Sequence, residues 1–287
     1  MRAWVWALLE RTPEPVRRLA RPVLAALRRR KRRHTPLPPG ADPFDLPAYA
    51  VEVDTAVGTL WLDGTDAHLT PWVQRQGVWE ADVMRFLTRR LGPGGVFADV
   101  GANVGFHTVL AAQIVGPSGK VFAIEPVPTT LKILRANLVR HNLQVVVLAA
   151  AASDVPGHRS LEVDPSYRSG AAFADSGIEV RAAPLDELLP DVAVDVLKID
   201  VEGAEPLVLR GAHRVLERSA NLVALVEFRA EPHLSGEEPE EVLAFYESLG
   251  LELCLLRRNG DVEPTVARVV LERARRLASL NLVLQRR

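Results

Sequence analysis

Three carboxylates close short apolar runs in this chain: Asp99 after Val96-Phe97-Ala98, Glu125 after Val121-Phe122-Ala123-Ile124, and Asp200 after Val196-Leu197-Lys198-Ile199. Acids at the C-terminal tips of parallel strands lie on the edge where open α/β sheets take their ligands. After Asp99 come Gly101 and Gly105, and then the helical spacing Val104, Thr108, Ala111, so the stretch reads strand, tight turn, helix. The glycines let the backbone bend and let a ligand approach it, and the helix start offers free N–H groups. The same glycines would also serve an ordinary turn. Glu125 favours a ligand, because an acid at the tip of the second strand is where ribose hydroxyls are held in nucleoside-binding folds.

The dinucleotide fingerprint G-x-G-x-x-G needs a middle glycine to admit a pyrophosphate, and Gly101-Ala102-Asn103-Val104-Gly105 lacks it. Asp99 would repel a diphosphate but attract an ammonium. S-adenosylmethionine carries an ammonium and a sulfonium, so the expected ligand is this methyl donor, with Asp99, Gly101, Asn103, Gly105 and Glu125 as its binding residues. A nicotinamide-type oxidoreductase is the alternative these features disfavour. Methyl transfer is an in-line displacement that needs alignment and, for a hydroxyl acceptor, a base. Candidates are Asp200, Glu202, Glu227 and His107, the last having the ordinary pKa closest to neutrality. Asp200 and Glu202 are two apart at a strand end and are expected to face differently, while Lys198 falls on Asp200's side and could hold it ionised. The seven histidines are scattered, and no metal is expected; Asp200, Glu202 and Glu227 are a weaker alternative as a Mg²⁺ site.

Phe97-Ala98-Asp99-Val100-Gly101-Ala102-Asn103-Val104-Gly105, together with Leu197-Lys198-Ile199-Asp200-Val201-Glu202-Gly203-Ala204-Glu205 and Val208-Leu209-Arg210-Gly211-Ala212, resembles the FkbM family of S-adenosylmethionine-dependent methyltransferases. The second string is the more specific, and the resemblance runs from about Gly77 to the C-terminus. It implies a class I methyltransferase fold: a doubly wound, Rossmann-like α/β domain with a seven-stranded, mostly parallel sheet and a closing antiparallel pair. It also implies that Glu80 lies near the donor, that Pro126 lies beside Glu125, and that the loop at Ser153-Asp154 meets the adenine. The acceptor would be a hydroxyl on a sugar, a lipid-linked glycan or a polyketide-like product. A membrane-recruited, non-catalytic adaptor is the remaining alternative.

These residues need a scaffold, and 287 residues with 48% hydrophobic content suffice for one α/β domain and an appendage. The formal charge of −1 conceals a split. Residues 1–34 hold eleven Arg or Lys against Glu10 and Glu14, a net +9, leaving −10 for the rest. Within that arm, Val16, Ala20, Val23, Leu24 and Leu27 share a helical stripe opposite Arg17, Arg21 and Arg28, interrupted by Pro22. This basic amphipathic pattern fits either peripheral contact with an anionic membrane or an arm packed on the protein body. It has neither the length of a span nor the order of a signal peptide, and nucleic-acid binding is not expected. The single Cys254 allows no intrachain disulfide, which favours the cytoplasm, including the inner membrane surface. Residues 35–48 are Pro-rich and read as a linker. The methyltransferase domain is expected over 49–287, with a β-hairpin extension at 49–76 and a substrate-side insertion at 158–182. Further helices are expected over 79–91, 205–214, 239–248 and 266–278.

Overall fold

In a computed structural model, the first core strand expected from the sequence spans Val96–Val100 and lies inside the main sheet, between two parallel neighbours. The structure describes residues 45–163, 170–231, 236–277 and 279–286. The basic arm at 1–34 and most of the linker lie outside the described residues, which form one unit beginning at Leu46.

In chain order the elements are β1 (Ala50–Thr55), β2 (Gly58–Asp63), α1 (Leu69–Gln76), α2 (Ala81–Arg90), β3 (Val96–Val100), α3 (Phe106–Val115), β4 (Lys120–Ile124), α4 (Pro128–Arg140), β5 (Val146–Leu148) and β6 (Ala151–Ala152). Then come β7 (Gly157–Val163), β8 (Ala171–Ala174), β9 (Ile178–Ala183), α5 (Leu185–Leu188), β10 (Val196–Ile199), α6 (Glu205–Arg210), α7 (His213–Arg218), β11 (Val223–Arg229), α8 (Pro239–Ser248), β12 (Glu252–Leu256), β13 (Val262–Pro264), α9 (Ala267–Leu277) and β14 (Ser279–Gln285). The main sheet runs β13-β12-β14-β11-β10-β3-β4-β5. Strands β11, β10, β3, β4 and β5 are parallel, and β14 enters antiparallel between β11 and β12. This is the doubly wound class I order, with one correction: among the described residues the sheet has eight strands, not seven. The short β13 follows the Asn259-Gly260 turn and pairs with β12 along an otherwise open edge.

The alternation of side chains sorts the core into two faces. Ala98, Val100, Leu197, Ile199, Ala224 and Val226 face one cluster with α8 and α9, while Phe97, Val121, Val196 and Leu225 face another with α2 and α3. Helix α3 is apolar on nearly every side, as an enclosed helix must be, and eight of its residues are buried.

Two expectations change. The helix expected over 205–214 is two helices, α6 and α7, with Gly211 between them; a Cβ there would meet the Ser153 carbonyl oxygen at 2.0 Å, so that close approach interrupts the helix. The segment expected as an insertion, 158–182, contributes β7, β8 and β9 to a separate four-stranded sheet, β6-β9-β7-β8, around Leu161, Val180 and Ala182, whose fourth strand β6 precedes that segment. Its strand β8 was not foreseen, because Ala-Ala-Phe-Ala carries little β-branched or alternating signal.

The hairpin β1–β2 packs on the body through Val53, Val57, Leu60 and Leu62, and a buried side chain adds hydrogen bonds at its second strand. Asn137 on α4 accepts from the Trp61 N–H at 2.6 Å and donates to the carbonyls of Trp61 at 2.9 Å and Val104 at 2.8 Å. It therefore ties β2 to the turn between β3 and α3. No helix among the described residues is long and apolar enough to cross a membrane.

Candidate active site

The tips of β3, β4 and β10 open into one cavity, lined by Asp99, Gly101, Asn103, His107, Glu125, Pro126, Lys198, Asp200 and Glu202. Sheet register places the charges: Lys198 is the direct partner of Asp99 across β10 and β3, so both project from the α2–α3 face at the same height.

Asp99 is 1% exposed. Its Oδ2 accepts from Thr108 Oγ1 at 2.6 Å, while Oδ1 has no hydrogen-bond partner and lies 4.0 Å from Lys198 Nζ. Burial raises the Asp99 carboxyl pKa, and Lys198 opposes that rise. Lys198 is 3% exposed, and its Nζ donates to Asp200 Oδ2 at 2.8 Å. Burial pushes Asp200 up, but the adjacent ammonium outweighs it and holds Asp200 below the usual carboxylate range; the carboxylates in turn hold Lys198 above the usual lysine range.

The turn after β3 closes on the tip of β4. The N–H groups of Gly101 and Ala102 both donate to the Ile124 carbonyl at 3.0 Å. The Glu125 carboxylate accepts from the N–H of Asn103 at 3.0 Å and of Val127 at 2.8 Å. Glu125 is 5% exposed, and burial raises its pKa to about 7. Asn103 holds a positive φ of 50°, which its short amide side chain tolerates. Gly101 sits at φ 78°, where a Cβ would meet the Asp200 carbonyl oxygen at 1.9 Å, so β3 and β10 converge only because that side chain is absent.

Several sequence expectations are redirected. Asp200 and Glu202 both line the cavity rather than facing apart, because β10 ends at Ile199 and strand alternation does not extend into the following turn. Glu202, at φ 58°, pairs with Arg229, which also bonds Glu227 Oε2 at 3.0 Å. Glu227 lies outside the cavity lining, with its carboxyl raised to about 8 by burial and by Asp200. His107 lines the cavity, but burial and then Lys198 lower its pKa to about 3, so it is an uncharged imidazole rather than a base near neutrality. Ser153 and Asp154 are not among the residues lining the cavity: the Ser153 N–H donates to the Ala183 carbonyl at 3.1 Å and Ser153 Oγ to Asp154 Oδ1 at 3.0 Å, while Ala150, Ala151 and Ala152 just before them form part of the wall. Gly105 and Glu80 are also outside the lining; Gly105 is the N-cap of α3, and Glu80 contacts His107 behind it.

The sequence reading missed the apolar wall. Leu69 and Trp79 come from the N-terminal segment, and Leu161, Ala171 and Phe173 from the small sheet. No motif marks them; only packing brings them over the tips of the large sheet.

The lining fits S-adenosylmethionine on features of this chain. The orphaned, buried Asp99 Oδ1 is an acceptor waiting for a donor such as an ammonium, and the anchored Glu125 carboxylate retains lone pairs for a vicinal diol. The apolar residues Ile124, Val127 and Ala150 to Ala152 offer a face for a purine.

Comparisons with known proteins agree. The hexuronic acid methyltransferase AglP of Haloferax volcanii is 31% identical over 202 residues, covering 69% of this chain and 80% of that protein. The 31-O-demethyl-FK506 methyltransferase FkbM of Streptomyces tacrolimicus is 32% identical over 158 residues, covering 42% of this chain and 60% of that protein. A crystal structure of an FkbM methyltransferase from Methylobacillus flagellatus aligns with a TM-score of 0.42 at 15% identity, covering 66% of this chain and 43% of that one. The family described as "Methyltransferase FkbM domain" matches residues 99–253, just over half of the chain and the stretch that carries Asp99, Glu125, Lys198 and Asp200. This chain belongs to the FkbM family of S-adenosylmethionine-dependent methyltransferases.

Proposed function

We propose that the enzyme methylates the oxygen of a hydroxyl on a sugar, glycan or polyketide-like acceptor, and that Asp200 receives the hydroxyl proton. The observation that carries this reading is the Lys198–Asp200 contact at 2.8 Å on the cavity wall, one strand from Asp99. When bound, the donor supplies a methyl group on a sulfonium, a carbon already activated toward attack. The protein's tasks are then alignment and proton removal. Asp99 Oδ1 holds the donor's ammonium, and Glu125 accepts from its ribose hydroxyls. Asp200 faces the incoming hydroxyl and takes its proton as the oxygen–methyl bond forms and the carbon–sulfur bond breaks. A carboxylate of low pKa serves here because the hydroxyl becomes strongly acidic only as its oxygen acquires the methyl group. Leu161, Ala171 and Phe173 give the acceptor an apolar wall. The two relatives, one named for a hexuronic acid and one for 31-O-demethyl-FK506, support a sugar or other oxygen acceptor.

Incubating the enzyme with cell extract and isotopically labelled S-adenosylmethionine, followed by mass spectrometry, tests the assignment. The label is expected as an O-methyl group, and labelled N-methyl or C-methyl product would refute it. The donor half is tested separately: Glu125→Ala is expected to weaken binding of S-adenosylhomocysteine by about 1–3 kcal/mol in calorimetry, the usual effect of removing a buried acceptor of hydrogen bonds. Unchanged affinity would remove Glu125 from the ribose site. Absence of any donor binding by the parent would favour the adaptor alternative.

The basic arm is proposed, from its sequence, to bring the enzyme to anionic bilayers. Each basic residue near the surface contributes at most about 1 kcal/mol, in a salt-dependent way. Full-length protein is expected to co-sediment with phosphatidylserine-containing vesicles at low salt and to be released at high salt. Equal sedimentation of a form lacking residues 1–34 would rule the arm out as the anchor.

A further inference from the structure

We propose that Glu80 is a specificity-determining residue: its carboxylate supplies negative charge by which the cavity holds the cationic methyl donor in preference to the uncharged-sulfur by-product, S-adenosylhomocysteine. The inference rests on the donor-site reading above and goes beyond it by assigning the discrimination between donor and by-product to a group outside the cavity lining.

Glu80 is not behaving as an ordinary residue at a helix start. It occupies the N-cap position of α2 at φ 41°, ψ 71°, a left-handed conformation uncommon for a non-glycine residue, and its side chain makes no capping hydrogen bond. The carboxylate turns inward instead. Oε1 accepts from Asn281 Nδ2 at 3.0 Å, across 201 residues of sequence, and register sets Asn281 opposite Glu227 on β11. Oε2 is buried, has no hydrogen-bond partner among the described residues, and lies 3.9 Å from Nδ1 of His107. His107 is 5% exposed and lines the cavity, and its Nε2 is likewise buried without a partner. A single neutral ring therefore separates Glu80 from the ligand space.

The charges around this point do not balance. The groups acting on Glu80 are Lys198 from β10, Asp200 in the turn just after it and Asp82 from its own helix, with uncharged His107 from α3 and Asn281 from β14. Asp99 on β3 joins through Lys198. At this end of the cavity Glu80, Asp99 and Asp200 thus face one ammonium, and Arg229, the guanidinium that acts on Asp200, is engaged by Glu202 and Glu227. Such a cluster favours a ligand that brings positive charge. The methyl donor carries one more positive charge than the by-product, at the sulfur, and the two are otherwise alike in ammonium, carboxylate, ribose and adenine. Contributions of Asp99 and Glu125 to those shared groups cancel in the ratio of the two affinities. The contribution of a nearby uncontacted carboxylate to the sulfonium does not. Burial, with Asp200 second, raises the Glu80 carboxyl to about 7. Its charge is therefore absent well below neutrality and present above it, so the preference for the donor grows as pH rises.

Calorimetry of the full chain with S-adenosylmethionine and S-adenosylhomocysteine, without acceptor, from pH 6 to pH 8.5 tests this. In the parent, the preference for the methylated ligand is expected to rise several-fold, roughly three- to tenfold, across that range. Glu80→Gln is expected to lower the preference about tenfold at pH 8.5 and to flatten most of its rise between pH 6 and pH 8, leaving only the smaller change due to Glu227, whose carboxyl is raised to about 8, while the affinity for the by-product changes little. Asn281→Ala, which frees the carboxylate without removing it, is expected to give an intermediate loss. A ratio that is flat with pH in the parent, or unaltered in folded Glu80→Gln protein, overturns the proposal; should Glu80→Gln not fold, the parent's pH series and Asn281→Ala decide it. Failure of both ligands to bind the parent would instead overturn the donor-site reading on which the proposal stands.

Discussion

Asp200→Asn is expected to slow methyl transfer by about 10²–10⁴-fold, the usual contribution of a positioned general base, while leaving the affinity for S-adenosylhomocysteine nearly intact. The amide preserves shape and can still meet Lys198 Nζ, now 2.8 Å from an aspartate oxygen, but it cannot take a proton. Lys198 keeps a buried partner in Asp99 at 4.0 Å, so the substitution does not strand an unpaired ammonium. Initial rates of label transfer to the extract acceptor, read beside calorimetric donor affinity, separate the two quantities. A variant that binds normally and transfers at more than about a tenth of the parental rate would remove Asp200 as the base. Glu202, the other carboxylate on that part of the wall, would then be the next candidate, although its engagement with Arg229 makes it the weaker acceptor.

Gly101→Ala is expected to have the largest effect on stability. The new Cβ would lie 1.9 Å from the Asp200 carbonyl oxygen, at a backbone φ of 78° that disfavours any side chain. That obstacle is backbone, fixed by the Asp200 N–H bonding to the Val100 carbonyl at 3.0 Å, so no side-chain rotation relieves it. Relief requires parting β3 from β10 at the centre of the sheet. A destabilisation of about 4 kcal/mol or more follows, in the range reserved for backbone strain at special φ. For a domain of this size that corresponds to a fall in Tm of about 10 °C. Thermal unfolding measures it, and a melting point within about 2 °C of the parent would show that the turn relaxes at little cost. Donor binding should be lost in parallel, because Gly101, Asn103 and the Asp200 carbonyl form one piece of the cavity rim.

The alternation of apolar runs with acids and glycines was enough to place β3, β4 and β10, their order along the chain and the ligand edge of the sheet. Those strands are buried on both faces and so are written as continuous apolar segments, and the tight turn after β3 admits only glycine at 101. The two family strings likewise sufficed for the methyltransferase assignment, since each is a run of consecutive residues at a strand tip. Lys198 could be assigned to the side of Asp200 from their spacing of two, and the contact forms although the strand itself ends at Ile199. What sequence spacing could not supply was the environment of each group. His107 carries the same imidazole in any sequence, and only enclosure beside Lys198 takes its pKa to about 3. Glu80 is placed near the donor by resemblance alone, and only the tertiary structure shows its carboxylate beside His107, accepting from Asn281. The resemblance gives the loop at 153–154 to the adenine, yet the cavity wall there is Ala150, Ala151 and Ala152, while the Ser153 N–H bonds the Ala183 carbonyl. Ser153 and Asp154, like Glu227 beside Arg229, were chosen for their chemistry at a strand end. Which of the groups at such ends reach the cavity is decided by long-range packing, whose partners lie dozens to hundreds of residues away and leave no local periodicity to read.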